Sequence, residues 1–273
     1  MNRLICIALL MLSVPLLAHE GLHEQITAMT ERIRAEPANA ALYLKRGELY
    51  RLHQQFDLAA RDYDRASALD PQLHSVDLGR GRASMAAGRI TDAIAALQRY
   101  AAAEPNDPEG HTALARALVR AGRSPEAAIE YTAALRTLPD PDIGIECAQA
   151  LLAAGKSEEA LHGLDDLLTR LGPVVTLQLT AIDIEVNRND IDAALRRIDA
   201  ALTTAPRTEM WLELRGDVLM CAGRAAEARE AYQAALEAIA SLPPERRATR
   251  AIADRERRLR MALPTTRSEN GVD

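Results

Sequence analysis

The sequence predicts an all-α solenoid of about six stacked helix-turn-helix units with helical caps, and three observations support this fold class. The first is a period of 33 or 34 residues, which six prolines mark: Pro37, Pro71, Pro105, Pro139, Pro173 and Pro206. The second is a column of alanines in the same register: Ala59, Ala93, Ala127, Ala160, Ala194 and Ala228. The third is a column of mostly larger residues: Tyr63, Leu97, Tyr131, Leu164, Ile198 and Tyr232. A fixed period of this length indicates supersecondary units that stack on their neighbours.

Residues 1–18 have the pattern of a secretory signal peptide. Arg3 supplies a positive charge, and an apolar run follows from Leu4 to Leu17. Because the run is short for a bilayer span and contains Ser13 and Pro15, a cleaved leader is favoured over a membrane anchor. We therefore expect a periplasmic or secreted mature chain with no membrane span. The leader and the composition rich in alanine and arginine favour a Gram-negative bacterium.

Composition argues against several classes of function. The net charge is −6, and it becomes −7 when Arg3 leaves with the leader. An acidic chain with 3% aromatic residues lacks the basic field and the stacking platforms of nucleic-acid-binding proteins. Cys147 and Cys221 fall two repeat units apart, too far for a disulfide, and we expect both to be small buried residues.

The chain begins and ends with segments that fit caps of a helical stack. Residues 19–37 carry Ile26, Met29 and Ile33 at helical spacing, which predicts an N-terminal cap helix. The repeat units then follow over 40–71, 74–105, 108–139, 141–173, 175–206 and 209–242. Residues 243–263 predict a C-terminal cap helix whose apolar face contains Ala248, Ile252, Leu259 and Leu263. Arginines fill its other side, and a solvated cap is favoured over binding to anionic lipid because acidic residues alternate with them. Residues 264–273 predict a disordered tail.

Helix starts and turns are marked inside the units. Asp107 and Asp140 each precede proline and an early acidic residue, as N-caps do. Residues that tolerate a left-handed backbone stand at the predicted turns: Gly88, Gly122, Gly155, Asn189 and Gly223.

Small residues form a further column, which we expect to face the alanine column so that the two helices of a unit approach closely. It contains Gly47, Gly81, Ala115, Ala148 and Gly216. We expect the column of larger residues to fill the space between units. The fifth unit departs from the pattern at Ile182, Glu185 and Asn189, and we expect it to be the loosest joint.

Taken in register, these columns resemble the tetratricopeptide repeat (TPR) family from Pro37 to about Leu242. The resemblance implies a right-handed superhelix whose concave groove, lined by the first helices, binds extended peptides or partner helices. It implies no catalysis and no cofactor. We therefore expect a non-enzymatic scaffold that binds another envelope protein or peptide and no nucleic acid.

The resemblance also implies which positions face the groove. The candidate binding residues are Arg51, Arg82, Arg116, Arg120, Gln149, Asp183, Glu213 and Asp217. With Lys45 the first half is basic, whereas Glu146 joins the acids of the second half, so complementary charge would orient a partner segment. An ordinary solvated face, whose charges pair with their neighbours, remains an equal alternative.

Two other functions are alternatives to an interaction scaffold. A mature chain beginning at His19 could chelate copper through its amine, His19 and His23, although a frayed polar cap is favoured. The chain could instead be a self-associating structural module, and its oligomeric state is not specified. No nucleophile elbow, phosphate-binding loop or zinc spacing is present in the sequence, which argues against an enzyme.

Overall fold

The structure is a computed structural model that describes residues 13–263, with side chains from Gly21 onward. Helices make up 81% of this part of the chain, which contains no strand, and the predicted all-α class is confirmed. Most of the predicted leader and the whole predicted tail of residues 264–273 lie outside the described residues. No helix of the described part combines the length and hydropathy needed to cross a bilayer.

The described chain divides into two compact units, one ending at Ala160 and the other beginning at Leu161. In order, the first unit contains α1 Ser13–Ala35, α2 Ala40–Leu52, α3 Phe56–Leu69, α4 Ser75–Ala86, α5 Ile90–Ala103, α6 Pro108–Arg120, α7 Ser124–Thr137 and α8 Pro141–Ala153. Helices pack in successive pairs, α2 with α3, α4 with α5 and α6 with α7. The first helices of these pairs also contact one another, α2 with α4 and α4 with α6.

Helix α9, Ser157–Leu171, contains the boundary between the two units. The second unit continues with α10 Val175–Asn187, α11 Ile191–Thr204, α12 Glu209–Cys221, α13 Ala225–Ala240, α14 Pro244–Arg247 and α15 Arg250–Ala262. Here α10 pairs with α11, α12 pairs with α13, and α15 packs on α13.

The turns within the helical pairs have the left-handed residues that the sequence predicts. Asn189 has a φ of 60°, and the predicted turn glycines have φ between 73° and 75°. Gln54, which the sequence analysis did not single out, has a φ of 60° in the corresponding turn of the first pair. The predicted caps are also confirmed, since Asp107 and Asp140 each accept hydrogen bonds from backbone amides of the helix that follows.

Tyr63 fills the space between the first helices of two successive pairs. A Cβ atom at Gly47 of α2 would lie 2.7 Å from Cε1 of Tyr63, and one at Gly79 of α4 would lie 2.9 Å from the same atom. From the sequence, the alanine column was expected to lie opposite the small residues. In the structure the side chains nearest to these glycines are those of the large column, since Leu97 lies against Gly81 and Tyr232 lies against Gly216 in the same way.

Because Gly47 is in close contact with Tyr63 and Gly163 has no such neighbour, we expect substitution by alanine to have opposite effects on stability at these two helical glycines. Gly47→Ala should destabilise the protein by about 1 to 3 kcal/mol, because the buried Tyr63 ring has no room to withdraw. Gly163→Ala should be neutral or stabilising by up to about 1 kcal/mol, since nothing lies within 4 Å of a Cβ there and alanine favours helix. Urea unfolding followed by circular dichroism measures both, and equal shifts would contradict the packing described.

The irregular fifth unit of the sequence contains a buried ion-pair network. Glu185 of α10 is 5% exposed and accepts from the guanidinium of Arg197 on α11, with Nη2 and Oε1 2.8 Å apart. Arg197 also donates to Asp165 of α9 at 2.7 Å. Burial lowers the pKa of Arg197, but hydrogen bonds to the two carboxylates more than offset it, and the pKa is raised. The polar residue at this core position is therefore fully partnered, and the looseness of this unit stays a prediction.

The predicted C-terminal cap helix is two helices, α14 and α15. Thr249 between them has an extended backbone, with φ −67° and ψ 141°, and its hydroxyl donates to the carbonyl of Arg246 at 2.8 Å. Ile252 and Leu259 are buried as expected. Ala248, assigned to the same face, is exposed because it lies at the break.

Neither described cysteine is in a disulfide, but their environments differ. Cys147 is buried as expected, and burial raises the pKa of its thiol. The prediction that Cys221 is buried is wrong, because this residue ends α12 and is exposed in the last helical turn.

Candidate functional site

An open cavity of about 730 Å³ lies in the first unit and gathers four of the predicted groove residues. They are Arg51, Arg82, Arg116 and Arg120, which come from α2, α4 and α6. The first helices pack on one another, and this brings the four side chains to the same cavity. The lining also includes three acids, Glu109, Asp140 and Asp142, and apolar side chains, among them those of Met85, Leu138 and Ile143.

Arg116 is held by a two-point ion pair. Its Nε and Nη2 atoms donate to the Glu146 carboxylate of α8 at 2.8 and 2.7 Å. The hydroxyl of Tyr131, a member of the large column, donates to the same carboxylate at 2.7 Å. The bonds from Arg116 and Tyr131 outweigh burial and lower the pKa of Glu146. Glu146 is therefore ionised at neutral pH and fixes the guanidinium in place.

Two further arginines of the cavity are also paired. Arg51 donates to Glu48 at 2.9 Å, and Glu48 accepts from the Tyr63 hydroxyl at 2.7 Å as well. Arg82 forms a short ion pair with Glu109. Burial is the main reason that the pKa of the Tyr63 hydroxyl is raised, so it stays a donor to Glu48.

Arg120 differs from the other three arginines. It is exposed, and its side chain has no hydrogen bond or ion pair within the described residues. Val119 beside it is 43% exposed, and Leu138 in the cavity wall is 44% exposed. Gln149, the fifth predicted residue of this unit, is exposed on α8 and does not line the cavity. Among the four cavity arginines, Arg120 is therefore the one whose guanidinium is free within the described residues.

These pairs revise the charge pattern inferred from the sequence. Glu146, which the sequence analysis placed in an acidic second half, neutralises Arg116 of the basic first half. Three of the four cavity arginines are partnered in the same manner. The pairing of groove charges with their neighbours, one of the two alternatives, therefore describes most of this surface.

The three predicted acids of the second unit have different surroundings. Glu213 of α12 accepts from Arg255 at 2.5 Å and from Arg258 at 2.9 Å, so the C-terminal helix α15 covers it. Asp217, one turn later, accepts from the Tyr232 hydroxyl at 2.8 Å. Asp183 of α10 is exposed and has no side-chain partner within the described residues. Sequence reasoning placed all three in the groove but did not foresee that α15 neutralises Glu213.

The raised pKa of Asp217 predicts a pH-dependent contribution of this side chain to stability. Desolvation raises its pKa, and the Tyr232 bond only partly offsets this. A raised pKa means that the folded state binds the proton more tightly, so ionised Asp217 costs stability above that pKa. Asp217→Asn should therefore stabilise the protein at pH ~7 by less than about 1 kcal/mol, since solvent screens an exposed side chain. The gain should fade as the pH falls below the carboxyl pKa in thermal unfolding. A gain that is the same at every pH would contradict this origin.

Of the two N-terminal histidines considered as copper ligands, the structure describes the side chain of His23. The rings of His23 and His53 contact edge to face, with centroids 5.2 Å apart, whereas the side chain of His19 lies outside the described ones. Among the described residues, no group of three or more His, Cys, Asp or Glu side chains could hold a metal ion.

A second cavity, of about 370 Å³, lies in the second unit and was not foreseen. Trp211, Met210 and Pro206 contribute to its lining, together with Glu209, which is 1% exposed and pairs with Arg207. The closely spaced Pro206, Arg207 and Glu209 are the signal in the sequence that marks this inter-helical turn.

Comparisons with known proteins agree with the helical pairs. A tetratricopeptide repeat model matches residues 78–141, and a tetratricopeptide repeat-like domain model matches residues 146–252. YrrB, described as a TPR protein with an unusual peptide-binding site, is similar at 18% identity over 69% of this chain and 97% of its own, with a TM-score of 0.53. PilF of Pseudomonas aeruginosa is similar at 16% identity over 77% of this chain and 96% of its own, with a TM-score of 0.52.

No curated protein sequence matches this chain. At these identities the likeness to solved structures supports the fold alone. The two family models and the helical pairs together show that the described chain is all-α and contains tetratricopeptide repeat regions over residues 78–141 and 146–252.

Proposed function

We propose that this protein is a non-enzymatic interaction scaffold that binds a peptide or helix of a partner protein at the cavity of its first unit. The observation that carries the proposal is the convergence of Arg51, Arg82, Arg116 and Arg120 on one open cavity. Three of these guanidiniums are fixed by carboxylates, so the wall is preorganised and little ordering is needed on binding.

In this proposal the free charge of the cavity orients the partner segment. Arg120 lacks a side-chain partner within the described residues. An acidic group of the partner meets Arg120, and apolar side chains of the partner lie against the exposed Leu138. Because Arg51, Arg82 and Arg116 are already neutralised, they contribute geometry and hydrogen bonds more than net attraction.

The location of the scaffold is part of the proposal. The positively charged and apolar N-terminal residues support export, so we propose that the protein works in the bacterial cell envelope and that its partner is another envelope protein. TPR repeats are generally interaction modules without catalytic groups, which supports a scaffold rather than an enzyme.

Site-specific photo-crosslinking in the native cell tests the cavity. A probe at Leu138, which lines the cavity and is 44% exposed, should give a discrete adduct with one partner, and the same probe at Ile129, which is 65% exposed on α7 but outside the cavity, should not. Arg120→Glu in the Leu138 probe strain should abolish the adduct, whereas Arg61→Glu on α3 should leave it. Adducts of equal yield from both probes, or none from Leu138, would overturn the proposal.

A further inference from the structure

A separate groove lies between α1 and α2 of the first unit, with a volume of about 520 Å³. Its floor is apolar, formed by the partly exposed side chains of Met29 on α1 and of Leu44 and Leu49 on α2. In the sequence Met29 marks helical spacing in the predicted N-terminal cap helix. In the structure it faces an open groove, so apolar surface stays available for a partner.

Two cations on the rim of this groove are uncompensated. Arg32 of α1 and Lys45 of α2 are exposed and line the groove. Neither side chain forms an ion pair or hydrogen bond with the side chains described from residue 21 to residue 263. The acid that also lines the groove, Glu48, is engaged by Arg51 and by the Tyr63 hydroxyl. This arrangement contrasts with the main cavity, where most arginines have their own carboxylates.

We propose that the groove between α1 and α2 is a second docking surface, and that it takes an acidic amphipathic segment of a partner protein. Apolar side chains of the segment would cover Met29, Leu44 and Leu49, and its carboxylates would meet Arg32 and Lys45. An apolar floor with two free cations fits such a segment, whereas a basic or uncharged segment would leave the cations unsatisfied.

This surface does not depend on the proposed function of the main cavity. Glu48 lines the groove and pairs with Arg51, which lines the cavity, so the two surfaces adjoin without sharing a lining residue. A partner long enough to reach both would gain from the linkage of two weak contacts. Charge reversal at Arg120 tests the cavity and charge reversal at Arg32 and Lys45 tests the groove, so the failure of one is distinguishable from the failure of the other.

Fluorescence anisotropy with synthetic peptides tests the chemistry of the occupant. The probe is a fluorescein-labelled helical peptide with leucine at i, i+3, i+4 and i+7 and glutamate between them. The controls carry lysine in place of each glutamate, or alanine in place of each leucine. The full-length protein should bind the acidic leucine peptide saturably, and binding should weaken with added salt. Absence of saturable binding, or equal binding of the lysine peptide, would overturn the proposal.

Charge reversal locates the binding. Arg32→Glu with Lys45→Glu should weaken the acidic peptide about tenfold or more, since attraction becomes repulsion at both cations. Arg34→Glu with Arg61→Glu changes the net charge equally at exposed sites outside the groove and should have little effect. Equal losses in the two double variants, with thermal unfolding unchanged, would overturn the assignment. A solution dimer of the wild type that Arg32→Glu with Lys45→Glu dissociates would replace it with a second copy as the occupant.

Discussion

Replacing Arg197 with alanine is expected to destabilise the protein by about 3 to 5 kcal/mol. The side chains of Arg197 and Glu185 are 17% and 6% exposed, so the variant would leave the Glu185 carboxylate buried without its cation. The loss of Arg197 should cost less at Asp165, because the side chain of Asp165 is 51% exposed and water can solvate its charge. Thermal unfolding monitored by circular dichroism should show a large fall in Tm.

Two controls separate the buried charge from the loss of side-chain packing. Arg197→Leu with Glu185→Leu removes both charges and should recover most of the stability, since an apolar pair of similar volume often replaces a buried ion pair without loss. Arg224→Ala removes a cation whose ion pairs with Glu227 and Asp192 lie at the surface, and it should cost far less stability than Arg197→Ala. Similar costs for Arg197→Ala and Arg224→Ala would show that burial does not govern these pairs.

Tyr63→Ala is expected to cost about 3 to 5 kcal/mol, as truncation of a buried aromatic side chain usually does. The ring is 0% exposed and contacts α2 at Gly47 and α4 at Gly79. No neighbouring side chain at these glycines can move in to fill the space. Urea unfolding should therefore show a lower midpoint, with the first unit affected directly.

Tyr63→Phe isolates the contribution of the hydroxyl. It keeps the ring between the two glycines and removes only the hydrogen bond to Glu48, which Arg51 continues to engage. The expected cost is about 1 kcal/mol. If Tyr63→Phe were as damaging as Tyr63→Ala, the hydrogen bond and not the packing of the ring would be the main source of stability at this position.

The parts of the fold that could be predicted are those set by short-range chemistry. The period of Pro37 and its equivalents predicts paired helices, Asp107 and Asp140 predict helix starts, and Asn189 predicts a left-handed turn. Each depends on the backbone preference of a residue or on a hydrogen bond to a nearby amide. Gln54 was missed because glutamine has no preference for the left-handed backbone that its turn imposes.

The candidate site was harder to predict because it depends on which charges meet. The sequence places Arg116 and Glu146 30 residues apart, and only the packing of α6, α7 and α8 shows that they pair. Glu213 likewise pairs with two arginines of α15, far along the chain. Periodicity assigns a residue to a face of a helix, whereas the partner of its charge is decided by the neighbouring helix.

Hydrogen bonds between tyrosines and acids join the buried core to the exposed face of the first helices. Tyr63 donates to Glu48 within one helical pair, and Tyr131 of α7 donates to Glu146 of α8 in the next pair. Glu48 and Glu146 therefore serve helix packing as well as the exposed face. In evolution or in engineering, these two positions would change only together with their tyrosines. The side chains of Arg120 and Asp183 have no such hydrogen bond within the described residues. Substitutions at these two positions could therefore change the preference for a partner without disturbing the fold.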